Sequence, residues 1–210
     1  LVQPEPVKPK KALIAILAAM LGAMGSVGLV LLKAAFNRGI ESPEQLEEQG
    51  ISVYASIPLS EHQQKVDRLE ALKRRRKRKK DKDPIPLLIL SDPNDLAVEA
   101  LRSLRTSLHF AMMEASNKVL MVSGPSPGVG KSFVSANLAA VLAQTGQKVV
   151  VVDADMRKGH MHRFFENRND AGLSDYLSGQ VEQSLIVQPT QMENLSFISR
   201  GQVPPNPSEH

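Results

Sequence analysis

Residues Ala12 to Leu32 are 21 consecutive uncharged positions, apolar all round rather than along one face. As an α-helix they extend about 31 Å, close to the hydrocarbon thickness of a bilayer, so the pattern predicts a membrane-spanning helix. Ala18, Gly22 and Ser26 recur within it every four residues, a small-residue spacing that lets two helices approach closely in lipid. Beyond it the pattern weakens. Ser42 as cap and Pro43 in the first turn open a short helix (SPEQLEEQ), followed by an apolar strand-like piece at Ile51 to Ile57 and a polar, helix-compatible segment. From Asp83 onward the periodicity is that of a compact domain. Asp92-Pro93-Asn94-Asp95 reads as a helix start, with Asp92 as the N-cap. Leu96, Ala100, Leu101, Leu104, Leu108, Ala111 and Met112 then fall at helical spacing. Val119 to Ser123 reads as a buried strand, followed by a glycine-rich turn, a helix from about Lys131 to Thr145 and a strand from Lys148 to Asp153. This β–loop–α–β unit has the apolar runs of a parallel sheet. A short helix near Leu173 to Leu177 and a strand near Leu195 to Ser199 complete an α/β pattern.

Charge changes the picture at one place. Lys73 to Lys80 (KRRRKRKK) carries +8 of a net charge of +4, leaving −4 on the rest of the chain. The basic balance is therefore local. Following a membrane span, it points to anionic lipid headgroups, where each basic side chain contributes about 1 kcal/mol. No aromatics interleave the run, so a nucleic-acid partner is not expected. Lys33, Arg38 and the run outweigh Lys8, Lys10 and Lys11, which places the chain after Leu32 on the cytoplasmic side and the proline-bearing N-terminal flank outside. With no cysteine, disulfides, Fe–S clusters, Cys-based zinc sites and thiol nucleophiles are excluded. The expected division is an outer flank at 1–11, the membrane helix at 12–32, a juxtamembrane linker at 33–83 and a catalytic domain at 84–210. A leucine at position 1 and the loop-like ending PPNPSEH suggest a chain cut at both ends.

The candidate chemistry lies in two loops. Ser123-Gly124-Pro125-Ser126-Pro127-Gly128-Val129-Gly130-Lys131-Ser132 joins the first expected strand to its helix. Glycines there expose backbone N–H groups, the helix N-terminus adds partial positive charge, a lysine reaches terminal phosphates and a serine hydroxyl ligates a divalent ion. The strict G-x4-GK[ST] spacing is missed by one, because Pro125 stands where its first glycine belongs. The second loop follows the valine run and reads Asp153-Ala154-Asp155-Met156-Arg157. Two carboxylates at the C-terminal end of a strand face the nucleotide crevice of an open α/β sheet, where acids hold Mg²⁺ or accept a hydroxyl proton. His160 and His162 lack the further ligands a metal pair needs and read as loop residues.

Together GxxPGxGKS and hhhhDADMRKG resemble the bacterial tyrosine kinases that regulate capsular and exopolysaccharide export. The helix sequence Glu99-Ala100-Leu101-Arg102-Ser103-Leu104-Arg105 matches that family's ExxRxxR motif. Gly172-Leu173-Ser174-Asp175 and GQVPPNPSE (201–209) are similar to later segments. The membrane helix with prolines before it resembles the second span of the polysaccharide co-polymerase module fused to such kinases. The resemblance implies a P-loop NTPase-type fold, with a mostly parallel sheet flanked by helices and left incomplete here. It implies autokinase activity using ATP and Mg²⁺ at the bacterial inner membrane. By it, Gly128, Val129, Gly130, Lys131, Ser132 and Arg157 belong to the nucleotide site, with Lys131, Asp153 and Asp155 catalytic and Ser132 and Asp155 on Mg²⁺. Glu99, Arg102 and Arg105 become subunit contacts of a homo-oligomeric ring, although the same spacing also suits an intrahelical ion pair. Its expected partners are the inner membrane, the polysaccharide machinery and the tyrosine-rich tail of a neighbouring subunit. The family's third acidic motif and its tyrosine-rich tail are absent from these 210 residues. Two alternatives stay open: a catalytically incomplete scaffold, and a positioning-type P-loop ATPase, whose extra loop lysine would stand where Ser126 does.

Overall fold

The computed structural model describes residues 11–36, 42–76, 84–113 and 115–203, in two compact units, Leu1–Val53 and Tyr54–His210. The expected N-terminal flank, Arg38, the end of the basic run and the segment 204–209 lie outside the described residues. Helix α1 (Lys11–Phe36) dominates the first unit, and its stretch Ala12–Lys33, of mean hydropathy 2.3, is long and apolar enough to cross a membrane. The Ser26 hydroxyl donates to Ala23 O within the helix, so it brings no unsatisfied polar group to an apolar surface. One turn follows at α2 (Glu44–Glu47), after Pro43. A side-chain hydrogen bond from Ser42 holds the Glu44 carboxyl below its ordinary range.

The second unit begins with an extended stretch leading into α3 (Glu61–Arg76). The Ser60 hydroxyl accepts from Gln63 N at 3.1 Å and so caps α3. Then come α4 (Leu88–Ser91), α5 (Leu96–Ala111), α6 (Lys131–Ala143), β1 (Val149–Val152), a 3₁₀ turn at Met161–Arg163, α7 (Leu173–Leu177), α8 (Gln183–Ile186), β2 (Val187–Pro189) and β3 (Leu195–Ile198). The sheet order is β1-β3-β2, with β1 parallel to β3 and β2 antiparallel to it. Leu87, Leu88, Val98, Leu101, Val141 and Phe197 form the centre of one core beneath α4, α5 and α6. Asn137 is fully buried there. Its Oδ1 accepts from Ile89 N at 3.3 Å and its Nδ2 donates to Phe133 O at 2.9 Å, tying α4 to α6.

Three sequence expectations are corrected. Val119 to Ser123 joins no strand among the described residues, with Val119 79% and Met121 85% exposed. A strand's N–H and C=O groups need a neighbour, and β1, at one edge of the sheet, pairs only with β3. Ile51 to Ile57 likewise joins no sheet, although Ile57 packs against the core. The cap of α5 is Asp95 rather than Asp92: its Oδ1 accepts from Ala97 N at 2.8 Å. This later start buries Ala97, Val98 and Leu101 and leaves Leu96 exposed. Helices α4 and α8 and strand β2 were too short for periodicity to reveal.

Candidate functional site

Helix α6 opens at Gly130, which takes φ +93°, while Gly128 takes φ +80°. Both are left-handed conformations that a side chain strains. A different constraint applies to Gly124, where a Cβ would sit 3.0 Å from the Val129 side chain and 3.4 Å from that of Lys131. The glycines thus let the loop fold over the start of α6. Residues 123–129 are exposed, and Lys131 and Ser132 are half-buried in the first turn. The Lys131 ammonium donates to Ser126 O at 2.9 Å, which curls it over the loop; among the described residues it bonds neither Asp153 nor Asp155. That carbonyl is a weak tether beside a phosphate.

The acidic loop is knit more tightly. Asp153 extends the ladder, its N–H donating to Ile198 O at 2.9 Å, and its side chain is buried. Its Oδ1 accepts from Asp155 N at 3.2 Å and its Oδ2 from Met161 N at 3.0 Å. Burial pushes the Asp153 carboxyl above the usual aspartate range, against the pull of these two N–H groups. Gly159 lies against it, since a Cβ there would fall 2.7 Å from Asp153 Oδ2 and 2.6 Å from Asp155 O. Asp155 is exposed instead. Its Oδ1 accepts from Arg157 N at 3.2 Å and Lys158 N at 2.9 Å, an Asx-type turn on the exposed surface. His160 Nδ1 lies 3.1 Å from Lys158 O, and burial holds His162 below the ordinary histidine range.

A short turn joins α6 to β1 and the two pack together, so the helix runs back along the strand. The Gly130–Lys131 end therefore lies toward the edge from which Asp153 and Asp155 emerge. Glu99 and Arg102 stand apart on α5, paired with each other as an i,i+3 ion pair. Arg102 Nη1 also donates to Pro93 O at 3.2 Å, and Arg105 lies a turn further along. Among the described residues no three His, Asp or Glu side chains cluster as a metal site. The oxygen ligands on hand are the Ser132 hydroxyl and the exposed Asp155 carboxylate, too few to hold a divalent ion alone, which suits a metal held jointly with phosphate oxygens. Sequence reasoning missed Asn137 and Gly159. A polar residue amid the apolar run of α6 signals the former; the latter has no signal short of the folded loop.

A glycine loop at the start of a helix, beside acids at the end of a neighbouring strand, defines the P-loop NTPase class of nucleotide-binding proteins. Residues 114–209 match the ParA family, described as the NUBPL iron-transfer P-loop NTPase, and residues 1–35 match GNVR, a G-rich domain of tyrosine kinases. The chain is strongly similar in sequence to bacterial tyrosine-protein kinases. It is 54% identical over 207 residues to the tyrosine-protein kinase wzc of Salmonella typhimurium, covering 99% of this chain and 28% of that protein. Its fold matches the BceF tyrosine kinase domain with a TM-score of 0.72 at 43% identity, over 82% of this chain and 66% of that one. The kinase domain of Escherichia coli ETK matches at 0.69 and 51% identity, over 81% and 64%. The chain thus spans little more than a quarter of the length of its curated relatives.

Proposed function

We propose that this chain carries the nucleotide site of an ATP-dependent protein-tyrosine autokinase of the bacterial inner membrane, which regulates capsular or exopolysaccharide polymerisation and export. The observation that carries the reading is the pairing of a formed phosphate loop with an exposed Asp155, in a chain half-identical to proteins named tyrosine kinases. In this reading the N–H groups around Gly128, Val129 and Gly130 cradle the phosphates, and Lys131 leaves Ser126 O for the β/γ oxygens. Ser132 and Asp155 hold Mg²⁺, with Arg157 at the rim. When bound, the ion supplies charge neutralisation on the phosphate oxygens. A tyrosine hydroxyl attacks the γ-phosphorus as its proton passes to a carboxylate. The division at 12–32, 33–83 and 84–210 then separates anchor, lipid-facing linker and catalytic domain. Helix α5 would carry subunit contacts through Glu99, Arg102 and Arg105, and the basic run would lie on anionic lipid.

Mg²⁺-ATP titration of the whole chain by calorimetry tests this, with Lys131→Met as the comparison. The expected result is binding that weakens at least tenfold in the variant, about 1.4 kcal/mol, at unchanged thermal stability. Equal binding by both proteins removes the cradle from the argument. A second reading, a scaffold that holds nucleotide without transferring phosphate, draws on the unpaired Val119 to Ser123 ahead of the loop. ATP binding without phosphotyrosine would favour it.

A further inference from the structure

The chain contains two tyrosines, Tyr54 and Tyr176, and both are solvent-exposed, by 53% and 40%. A kinase draws its target hydroxyl, with flanking backbone, into a cleft in extended form. The better acceptor is therefore the tyrosine whose surroundings need the least undoing.

Tyr176 sits inside α7, its N–H donating to Gly172 O at 3.1 Å. The adjoining Asp175 is buried, and its Oδ2 accepts from Gly172 N at 2.9 Å and Gln202 N at 3.2 Å. Ser174 Oγ donates to Gln202 O at 2.6 Å. Gly201 is packed so closely that a Cβ there would lie 2.2 Å from Asp175 Oδ2. Extracting Tyr176 breaks this latch. Tyr54 lies in the extended stretch 51–60. Ile51 N donates to Leu46 O, and among the described residues the backbone N–H groups of residues 52–60 take part in no backbone hydrogen bond. With neither helix, turn nor paired strand, the stretch has no backbone hydrogen bond from these N–H groups to break on entering a cleft.

It is also anchored on one side. Ile57 packs into the core, and the buried Ser60 hydroxyl donates to Asp95 Oδ2 at 2.6 Å while Asp95 Oδ1 caps α5. Six residues of extended chain reach about 20 Å, so Tyr54 stays within that distance of the start of α5. That helix is the proposed subunit contact, which brings Tyr54 toward a neighbouring copy rather than leaving it free in solution.

We infer that Tyr54 is a phosphate acceptor for the nucleotide site of a second copy of this chain; the inference rests on the kinase reading above. Tyr54 Oη forms a bond to the γ-phosphorus, the bond from that phosphorus to the β-bridging oxygen breaks, ADP leaves, and the phenolic proton passes to the neighbour's carboxylate.

The test uses the whole 210-residue chain in lipid nanodiscs, with Lys131→Met protein as acceptor and the unmodified chain plus Mg²⁺-ATP as donor. Peptide mass spectrometry reads each tyrosine, and a Glu–Tyr copolymer in parallel reads kinase activity. Phosphate on Tyr54 should exceed that on Tyr176 by about tenfold, the ratio that roughly 1.4 kcal/mol of local unfolding commands. Tyr54→Phe in the acceptor should remove the signal, and Tyr176→Phe should leave it. Phosphorylated copolymer with Tyr54 unmodified, or phosphate mainly on Tyr176, overturns the inference while the kinase reading stands. If the chain modifies neither substrate, the kinase reading fails for it. The ETK kinase domain then serves as donor: phosphate on Tyr54 sustains the acceptor assignment, and none ends it.

Discussion

Two apolar stretches of this molecule, each followed by a polar loop, have opposite fates. Val149 to Val152 pairs along its length with β3, and the loop after it closes around Asp153 through Asp155 N and Met161 N. Val119 to Ser123 pairs with nothing among the described residues, and the loop after it is held by its own glycines and one lysine–carbonyl bond. Strand character thus needs a hydrogen-bonded neighbour as well as branched side chains. A loop inherits its order from the element that launches it. The acidic loop is set in place before any ligand arrives, whereas the phosphate loop has donors free to turn toward one.

The largest effect that would test this contrast lies beneath the paired strand. Phe197 on β3 is fully buried, its ring centroid 4.9 Å from that of Phe165. Phe197→Ala should cost about 4 kcal/mol in chemical denaturation. A loss below roughly 1.5 kcal/mol, the size of a mild core change, would mean that the sheet does not organise the core. Next, Asp153→Ala should destabilise by about 2 kcal/mol by stranding the buried Met161 N–H, and amide exchange at Met161 should quicken. Asp155→Ala, on the exposed side of the same loop, should stay within about 0.5 kcal/mol in stability while phosphotransfer falls. Equal stability losses would erase the distinction between the inner and outer acid. On the unpaired stretch, Met121→Lys should change stability by less than about 0.5 kcal/mol. A markedly larger cost would show Val119 to Ser123 paired and buried in solution.

The smallest effect is a pH dependence. Burial lowers the His162 pKa, so the folded state binds that proton less readily than the unfolded chain. Its contribution to stability is present above the unfolded histidine value near 6.5 and is lost as pH falls through the folded value. Asp153 acts in the opposite sense. Its raised pKa favours folding below the unfolded aspartate value, an advantage lost as pH rises through the folded value. Thermal melts between pH 7.5 and 5.5 should therefore fall more for the unmodified chain than for His162→Gln. Parallel curves would show that His162 is solvated.

Much of this protein was legible from residues alone. Apolarity all round marked α1, because a helix without a polar face suits lipid. GxGKS and DADMR marked the two candidate loops, because they carry the residue types that phosphate and metal chemistry calls for. The α5, α6 and β1 segments followed from period, and each observed element lies within a few residues of its expected place. What the sequence could not supply is anything set by neighbours. The N-cap of α5 fell to Asp95 because burying Ala97, Val98 and Leu101 sets the helix's start and rotation, and Asp92 satisfies the capping pattern equally well on paper. Asp153 and Asp155 are the same residue type two positions apart, and only the fold turns one inward onto backbone donors and the other toward solvent. Val119 to Ser123 has the composition of a strand, but pairing is a property of two segments. Composition and spacing fix what each side chain can do; which groups lie within hydrogen-bonding distance is decided only when distant parts of the chain pack together.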